Sequence, residues 1–131
     1  MIGLDSNILL RFLVQDDPEQ TRRASNLIER RLTEDNPGFV TVVAMAEIAW
    51  VLERSYRFTN SQIAAAIERI LQIDVLIVQD EKQVFTALVA LKERQASFAD
   101  ALIAGLGAKA GCSRTFTFDR KALRIPDFEL A

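Results

Sequence analysis

The sequence contains no histidine, and this absence removes much of the usual catalytic chemistry. It excludes serine and cysteine nucleophiles that depend on a histidine base, histidine-ligated zinc, and imidazole acid–base catalysis. The single cysteine, Cys112, cannot form an internal disulfide. Carboxylates working with hard metal ions are the chemistry that remains.

The chain also lacks long apolar runs and any excess of positive charge. No apolar run reaches the roughly 20 residues of a transmembrane helix, and the N-terminus shows no secretory signal pattern, so we expect a cytoplasmic protein. The formal net charge is −2, so affinity for nucleic acid would have to come from local patches or bound metal ions. With 131 residues, 50% of them hydrophobic, the chain is expected to form one domain over residues 1–131.

Short apolar runs alternate with amphipathic helical segments along the chain. The runs at residues 1–4, 38–42, 75–78 and 114–118 predict strands. Helices are predicted after the Asp17-Pro18 cap, over residues 43–54, from a cap at Asn60 or Ser61, and over residues 80–94 and 97–110, the last with Gly111 as its C-cap. The segment 43–54 is apolar almost all round, which predicts a helix packed on all sides, and Phe85 is predicted on the core face of the helix over residues 80–94. This alternation predicts a three-layer α/β/α sandwich with a mostly parallel central sheet.

Four carboxylates stand in apolar surroundings, and together they form the candidate site. Asp5 and Asp119 follow the first and last predicted strands, while Glu47 and Asp100 lie on apolar stripes of predicted helices. In parallel sheets the binding crevice forms beyond the carboxyl ends of the strands. We therefore expect the four acids to converge there.

Each acid also has a local structural explanation. Asp5 could cap a short helix beginning near Asn7, Asp119 could cap the turn that follows it, and Asp100 completes a capping-box pattern with Ser97. Glu47 has the weakest such explanation, because a buried carboxylate needs a basic partner to offset its desolvation.

Converged carboxylates would need neutralisation. Two of them 4–5 Å apart repel by roughly 3–4 kcal/mol at an effective dielectric constant near 20. Mg²⁺ or Mn²⁺ fits such oxygen ligands and could activate a water molecule for phosphodiester hydrolysis. Ser6, Asn7 and Thr117 could support this chemistry, although satisfying nearby backbone is the more common role of such side chains.

Basic residues near the last strand could hold a nucleic-acid backbone, and a solvated basic edge is an equally good reading of each one alone. These residues are Arg114, Arg120, Lys121 and Arg124, with Arg11, Arg22 and Arg23 as weaker candidates.

Several motifs in order resemble the PIN-domain ribonucleases. They are Asp5-Ser6-Asn7 with the apolar run after it, Ala46-Glu47-Ile48, Phe98-Ala99-Asp100-Ala101, and Thr117-Phe118-Asp119. The similarity covers essentially the whole chain, and its compact length is similar to that of the VapC toxins of bacterial and archaeal toxin–antitoxin pairs.

The resemblance implies a Mg²⁺- or Mn²⁺-dependent endoribonuclease that acts on RNA, is held inactive by a VapB-like antitoxin and forms a homodimer. Asp5, Glu47, Asp100 and Asp119 match the acidic metal-binding positions of that family, and Asn7 and Thr117 match its supporting polar positions. Ser97 departs from the pattern, since many relatives carry another acid there.

Two other functions are also compatible with the sequence. An aspartate-based phosphatase or phosphoacceptor domain also places an Asp after its first strand, although Asn7 stands where the aspartyl phosphatase pattern has a second Asp. A non-catalytic interaction module, whose carboxylates only cap helices, would show no Mg²⁺-linked thermal stabilisation. Exposed apolar positions on the helices between residues 60 and 94 are a candidate dimer or antitoxin surface.

Overall fold

Strands and helices alternate in the computed structural model, which describes residues 1–94 and 96–131. The strands are β1 (Ile2–Gly3), β2 (Gly38–Val40), β3 (Leu76–Val78), β4 (Thr115–Thr117) and β5 (Phe128–Leu130). The helices are α1 (Ser6–Val14), α2 (Pro18–Asn26), α3 (Val42–Arg54), α4 (Asn60–Leu71), α5 (Glu81–Arg94) and α6 (Phe98–Lys109). A π-helical turn, Leu27–Arg31, extends α2, and a 3₁₀ helix, Arg120–Arg124, links β4 to β5.

All strand pairings are parallel. β2 lies between β1 and β3, with Gly38 opposite both Ile2 and Leu76, while β4 and β5 form a second, two-stranded sheet. The predicted α/β sandwich with a mostly parallel sheet is confirmed. The predicted strands were too long by one to two residues, because backbone pairing stops sooner than the apolar runs do.

The strand β5 is absent from the sequence prediction. Its three residues carry no long apolar run, and the strand exists because its backbone pairs with β4, with Thr115 opposite Phe128. Flanking hydrogen bonds extend this pairing, from Thr115 N–H to the Asp127 carbonyl (2.8 Å) and from Ala131 N–H to the Thr117 carbonyl (2.9 Å). A contact made only across the fold gives no local signal.

Most helix boundaries follow the predicted capping chemistry. Asp17 caps α2 by accepting a hydrogen bond from Gln20 N–H (3.1 Å), with Pro18 as the first helical residue. Gly111 follows α6 with a φ of 102°, as its place after the helix predicted. The prediction for α4 was wrong, because Thr59 caps this helix in a capping box with Gln62, and Asn60 is already helical.

The core is formed by the inner faces of the helices and the strands they cover. On α3, Met45, Ile48 and Leu52 are fully buried, whereas Val43 is 73% and Trp50 is 55% exposed. The expectation that α3 is packed on all sides is therefore wrong. The predicted core role of Phe85 on α5 is also wrong, because this side chain is exposed. No helix in residues 1–94 and 96–131 has the length and apolarity needed to cross a bilayer.

Candidate active site

Asp5 and Glu47 are connected through the hydroxyl group of Ser6. Asp5 follows β1 and caps α1, because its Oδ1 accepts a hydrogen bond from Ser6 N–H at 2.8 Å. Ser6 is buried, at 4% exposure, and its Oγ donates a hydrogen bond to Oε1 of Glu47 on α3. The Ser6 Oγ also lies 3.5 Å from Asp5 Oδ1, so one small side chain sets the relative positions of both carboxylates.

The parallel pairing of β1 with β2 brings these two acids together. Leu4 N–H donates to the Phe39 carbonyl at 2.9 Å, so both strands end at the same edge of the sheet. Thr41 then caps α3 by accepting a hydrogen bond from Ala44 N–H at 3.1 Å. Glu47 consequently lies close to the start of α3, on the side where α1 begins.

Asp100 and Asp119 form the second acidic pair. Asp119 follows β4, and its charge raises the pKa of Asp100, although burial of the Asp100 carboxyl group is the larger cause of that shift. Asp100 lies in the first turn of α6, where the helix dipole by itself would favour the ionised form.

Local hydrogen bonds hold the backbone of this second pair. Asp119 N–H donates to Thr117 Oγ1 at 3.0 Å, and Asp119 Oδ1 accepts from Lys121 N–H at 2.9 Å. Asp100 N–H donates to Ser97 Oγ at 3.3 Å. Ser97 is thus the N-cap of α6, at a position where many PIN-domain relatives carry an acid. Its hydroxyl group orients the backbone that carries Asp100.

The capping explanations account for only part of the acidic set. They hold for Asp5 and Asp119, each of which caps a helix with one oxygen. They fail for the side chain of Asp100, whose carboxylate accepts no hydrogen bond from Ser97 N–H within the described chain. Among the described residues, 1–94 and 96–131, no ion pair joins any of the four acids to a basic side chain.

The argument from burial was wrong for Glu47. Its side chain is exposed, and the apolar stripe around it, Val43 and Trp50, is exposed as well. Glu47 therefore carries no large desolvation cost and needs no basic partner. The hydrogen bond from Ser6, which sequence reasoning did not foresee, is its link to the site.

The four acids do not form one tight cluster in this structure. Among residues 1–94 and 96–131, no group of three or more acidic or cysteine side chains is arranged to hold a metal ion. The expected convergence is present as two pairs, Asp5 with Glu47 and Asp100 with Asp119. The assignment of these residues as a metal site accordingly stays a prediction.

The chemistry of each pair still suits a hard cation. Mg²⁺ is commonly held by one or two carboxylates, with water and substrate phosphate oxygens completing its coordination. Both pairs supply carboxylate oxygens that form no ion pair within residues 1–94 and 96–131. The pKa of Asp100 is raised first by burial and then by the negative charge of Asp119. The donor set therefore fits Mg²⁺ or Mn²⁺.

The remaining predicted polar residues lie in different settings. Thr117 orients Asp119 by accepting its N–H, while the Asn7 side chain is exposed at the start of α1. From sequence, Ser6 was a candidate to support the chemistry of the acids, with satisfaction of nearby backbone as the more common role of such a side chain. The available signal was its place between Asp5 and Asn7, and burial of the hydroxyl against Glu47 became visible only in the fold.

The basic residues after β4 are partly engaged in local contacts. Arg114 forms an ion pair with Glu129 at 3.1 Å and lies 5.3 Å from the ring centre of Phe116. Arg120 and Lys121 are exposed. A second set of arginines, which includes Arg31 and was not singled out as a group from sequence, lines a groove beside Asn7.

A family comparison agrees with this arrangement of strands, helices and acids. The model of the PIN domain matches residues 2–127, which is nearly the whole chain. The chain belongs to the PIN-domain family. PIN domains are generally nucleases that use divalent metal ions, so the family assignment favours hydrolysis of a nucleic acid. A comparison with curated proteins gave no significant match.

Proposed function

We propose that this PIN domain is a metal-dependent endoribonuclease that hydrolyses RNA phosphodiester bonds. The observation that carries the proposal is the placement of two acidic pairs, Asp5 with Glu47 and Asp100 with Asp119, each containing a residue that follows a parallel strand. None of these acids forms an ion pair within the described residues 1–94 and 96–131. Unneutralised carboxylates at strand ends are typical of a site for divalent cations and phosphate.

The four acids would hold Mg²⁺ or Mn²⁺, and the neighbouring polar residues would position them. A bound ion would polarise the phosphodiester and increase the acidity of a water molecule. Ser6 fixes Glu47 relative to Asp5, and Thr117 fixes the backbone of Asp119. The exposed amide of Asn7 is available to donate to a phosphate oxygen of the substrate.

We propose further that the enzyme is the toxin of a VapBC-type pair, cytoplasmic, dimeric and inhibited by a VapB-like antitoxin. The order of the acidic motifs supports this subtype. Exposed apolar side chains offer surface for protein partners: Phe85 on the predicted helices, Ile77 on β3, and Val43, Trp50, Ile103, Phe116 and Phe118 close to the acids in sequence. A mass near that of the 14.7 kDa chain in size-exclusion chromatography with light scattering would contradict the dimer.

The catalytic assignment is tested by Asp5→Asn. Asparagine caps helices as well as aspartate does, so α1 and the melting temperature should be retained. A metal ligand contributes several kcal/mol, so cleavage of labelled RNA in Mg²⁺ should fall at least about 100-fold. Asp17→Asn, a second N-cap at α2, is the matched control and should cleave like the parent.

Parental activity in Asp5→Asn would exclude Asp5 from the reaction. Detection of a phosphoryl group on Asp5, with no RNA cleavage, would instead establish the phosphoacceptor alternative.

Metal binding has an independent readout in thermal stability. At a free Mg²⁺ concentration of about 100 times Kd, binding to the folded state adds roughly 2.7 kcal/mol. For a chain of 131 residues this corresponds to a rise in melting temperature of about 10 °C. Chelation should reverse the rise, and Asp100→Asn should reduce it. Identical melting curves with and without Mg²⁺ or Mn²⁺ would contradict a metal site and favour a non-catalytic module.

The toxin assignment has its own test in cells. Induced expression of the parent should arrest growth, and Asp5→Asn should not. Sequencing of RNA ends shortly after induction would identify the cleaved class of RNA. Equal arrest by both proteins would show that toxicity is unrelated to the proposed nuclease.

A further inference from the structure

A groove between α1 and α2 is lined by arginines and contains no acidic side chain. Its volume is about 480 Å³, within the range of ligand-binding clefts. We call it the arginine groove and define it by its lining residues: Asn7, Ile8, Arg11, Gln20, Arg23, Ala24, Asn26, Leu27 and Arg31. We propose that it binds the backbone of a single-stranded segment of the RNA substrate, an inference that rests on the proposed ribonuclease function.

Two of the three arginines are free to bind an anion. Arg11 is already occupied, because its Nη1 lies 3.1 Å from Asp16 Oδ1 and 3.1 Å from the Tyr56 hydroxyl, and its Nε donates to Gln20 at 2.7 Å. Arg23 and Arg31 are exposed and form no ion pair within the described chain. Their positive charges are therefore available to phosphate groups.

The arginine groove adjoins the acidic site at Asn7, the residue next to Ser6 in the chain. Asn7 lines it and directly follows Ser6, whose hydroxyl group contacts Glu47. A strand that lies against Arg23 and Arg31 can pass Asn7 and reach the pair formed by Asp5 and Glu47. The groove thus supplies, on a chain of net charge −2, the local positive patch that binding of a polyanion requires.

The lining favours a nucleic acid strand over an acidic protein segment. Amide groups of Asn7 and Asn26 can donate to and accept from base edges, and Gln20, whose Oε1 accepts from Arg11, can donate through its Nε2. Ile8 and Leu27 give an apolar wall for the bases. An acidic peptide would also be attracted by the arginines. It would, however, be repelled by the carboxylates of Asp5 and Glu47 if it extended past Asn7, whereas RNA is expected to bind there together with a divalent ion.

The sequence provides a matched pair of variants for the test. Arg22 and Arg30 are exposed neighbours of Arg23 and Arg31 and do not line the groove. Arg22 was a weaker candidate for backbone binding from sequence, and its place outside the groove lining makes it a control here. The groove variant carries Arg23→Ala and Arg31→Ala, and the control variant carries Arg22→Ala and Arg30→Ala. Each variant removes two positive charges, one from α2 and one from the π-helical turn that extends it. Binding of a labelled single-stranded RNA is measured by fluorescence anisotropy over a salt series, with Asp119→Asn in every protein to prevent cleavage.

The groove variant should lose two phosphate contacts. For single strands each contact contributes about 0.7 to the slope of log K against log salt, so the slope should fall by about 1.4 and affinity at 0.1 M salt by roughly 25-fold. The control variant should remain close to the parent. In cleavage assays with Asp119 restored, the groove variant should raise KM and leave kcat unchanged.

Three results would overturn the proposal. The first is an equal loss of RNA affinity in both variants, which would indicate only a general effect of net charge. The second is no loss of RNA affinity in either variant. The third is retained RNA affinity with lost binding of a polyglutamate peptide in the groove variant, which would make the groove a protein-docking surface. Failure of the proposed function is a separate observation, because it is the absence of Mg²⁺-dependent cleavage by the parent.

Discussion

Replacement of Ser6 by alanine tests whether one buried hydroxyl group organises the acidic site. Ser6→Ala removes the hydrogen bond to Glu47 Oε1 and retains the backbone N–H that Asp5 accepts in capping α1. Asp5 therefore keeps its position, and Glu47 loses the contact that fixes its rotamer. Because the Glu47 side chain is exposed, water can replace the lost donor.

The effect on stability should be small. A typical intramolecular hydrogen bond contributes about 1 kcal/mol net, and with an unfolding entropy of about 2.1 cal/mol/K per residue, over 131 residues, this corresponds to about 4 °C. The effect on metal binding should be larger, since removal of a residue that orients metal ligands typically costs 10–100-fold in metal affinity. Ser6→Ala should thus need about 10–100 times more Mg²⁺ for half-maximal cleavage.

The assay is RNA cleavage over a Mg²⁺ titration, with melting curves recorded in parallel. At saturating Mg²⁺ the rate should recover, because the four proposed metal ligands are all retained. Ser6→Thr keeps the hydroxyl group and should restore the parental Mg²⁺ dependence, even if its extra methyl group lowers stability in the buried position. Ser25→Ala on α2 is the control, because Ser25 is half-buried and distant in sequence from the acids.

A parental Mg²⁺ titration for Ser6→Ala would refute the reasoning. It would show that the contact between Ser6 and Glu47 has no influence on the site. A fall in rate that saturating Mg²⁺ does not relieve would likewise contradict a positioning role through the metal.

Three further predictions concern charge and packing. Burial, and to a lesser extent the negative charge of Asp119, raises the pKa of Asp100 in the folded protein. The protonated carboxyl group of Asp100 therefore stabilises the folded state. This stabilisation is fully present below the ordinary pKa of about 3.9 and is lost as pH rises through the folded-state pKa. Without metal, Asp100→Asn should therefore melt at a higher temperature than the parent at neutral pH, with the difference vanishing near pH 3; a constant difference at all pH values would contradict this. With saturating Mg²⁺ the order should reverse at neutral pH, because the variant lacks a ligand, and an unchanged order would argue against metal binding at Asp100. Gly38→Ala places a Cβ 2.8 Å from a methyl group of Leu4 and 2.9 Å from methyl groups of Leu32 and Leu76. It should therefore lower the free energy of unfolding, measured by chemical denaturation, by about 1–3 kcal/mol. Gly105→Ala on α6, where the nearest atom would be 3.7 Å from the new Cβ, should be neutral or stabilising by up to about 1 kcal/mol.

Local sequence signals were enough to predict the class of fold. Alternating short apolar runs and amphipathic segments gave the parallel α/β architecture, and Asp17-Pro18 and Gly111 marked helix ends correctly. These features depend on interactions within a few residues, which a sequence pattern contains. The strand β5 and the cap at Thr59 were missed, the first because it depends on pairing with β4, and the second because Asn60 and Ser61 are equally plausible caps.

Burial was the least predictable property of the candidate site. An apolar stripe around Glu47 suggested a buried carboxylate, yet Val43 and Trp50 are exposed and Phe118 is 87% exposed. Periodicity shows which residues share a face of a helix, but it does not show what covers that face.

The sequence by itself determined the chemistry that is available: acids without histidine, placed after the ends of predicted strands and near the starts of helices. The tertiary structure decided which acids meet. It joined Asp5 to Glu47 through a buried serine 41 residues away from the glutamate, and it placed Asp119 close enough to raise the pKa of Asp100. Side-chain contacts across such separations depend on strand order and helix packing, so they are fixed only when the whole chain has folded.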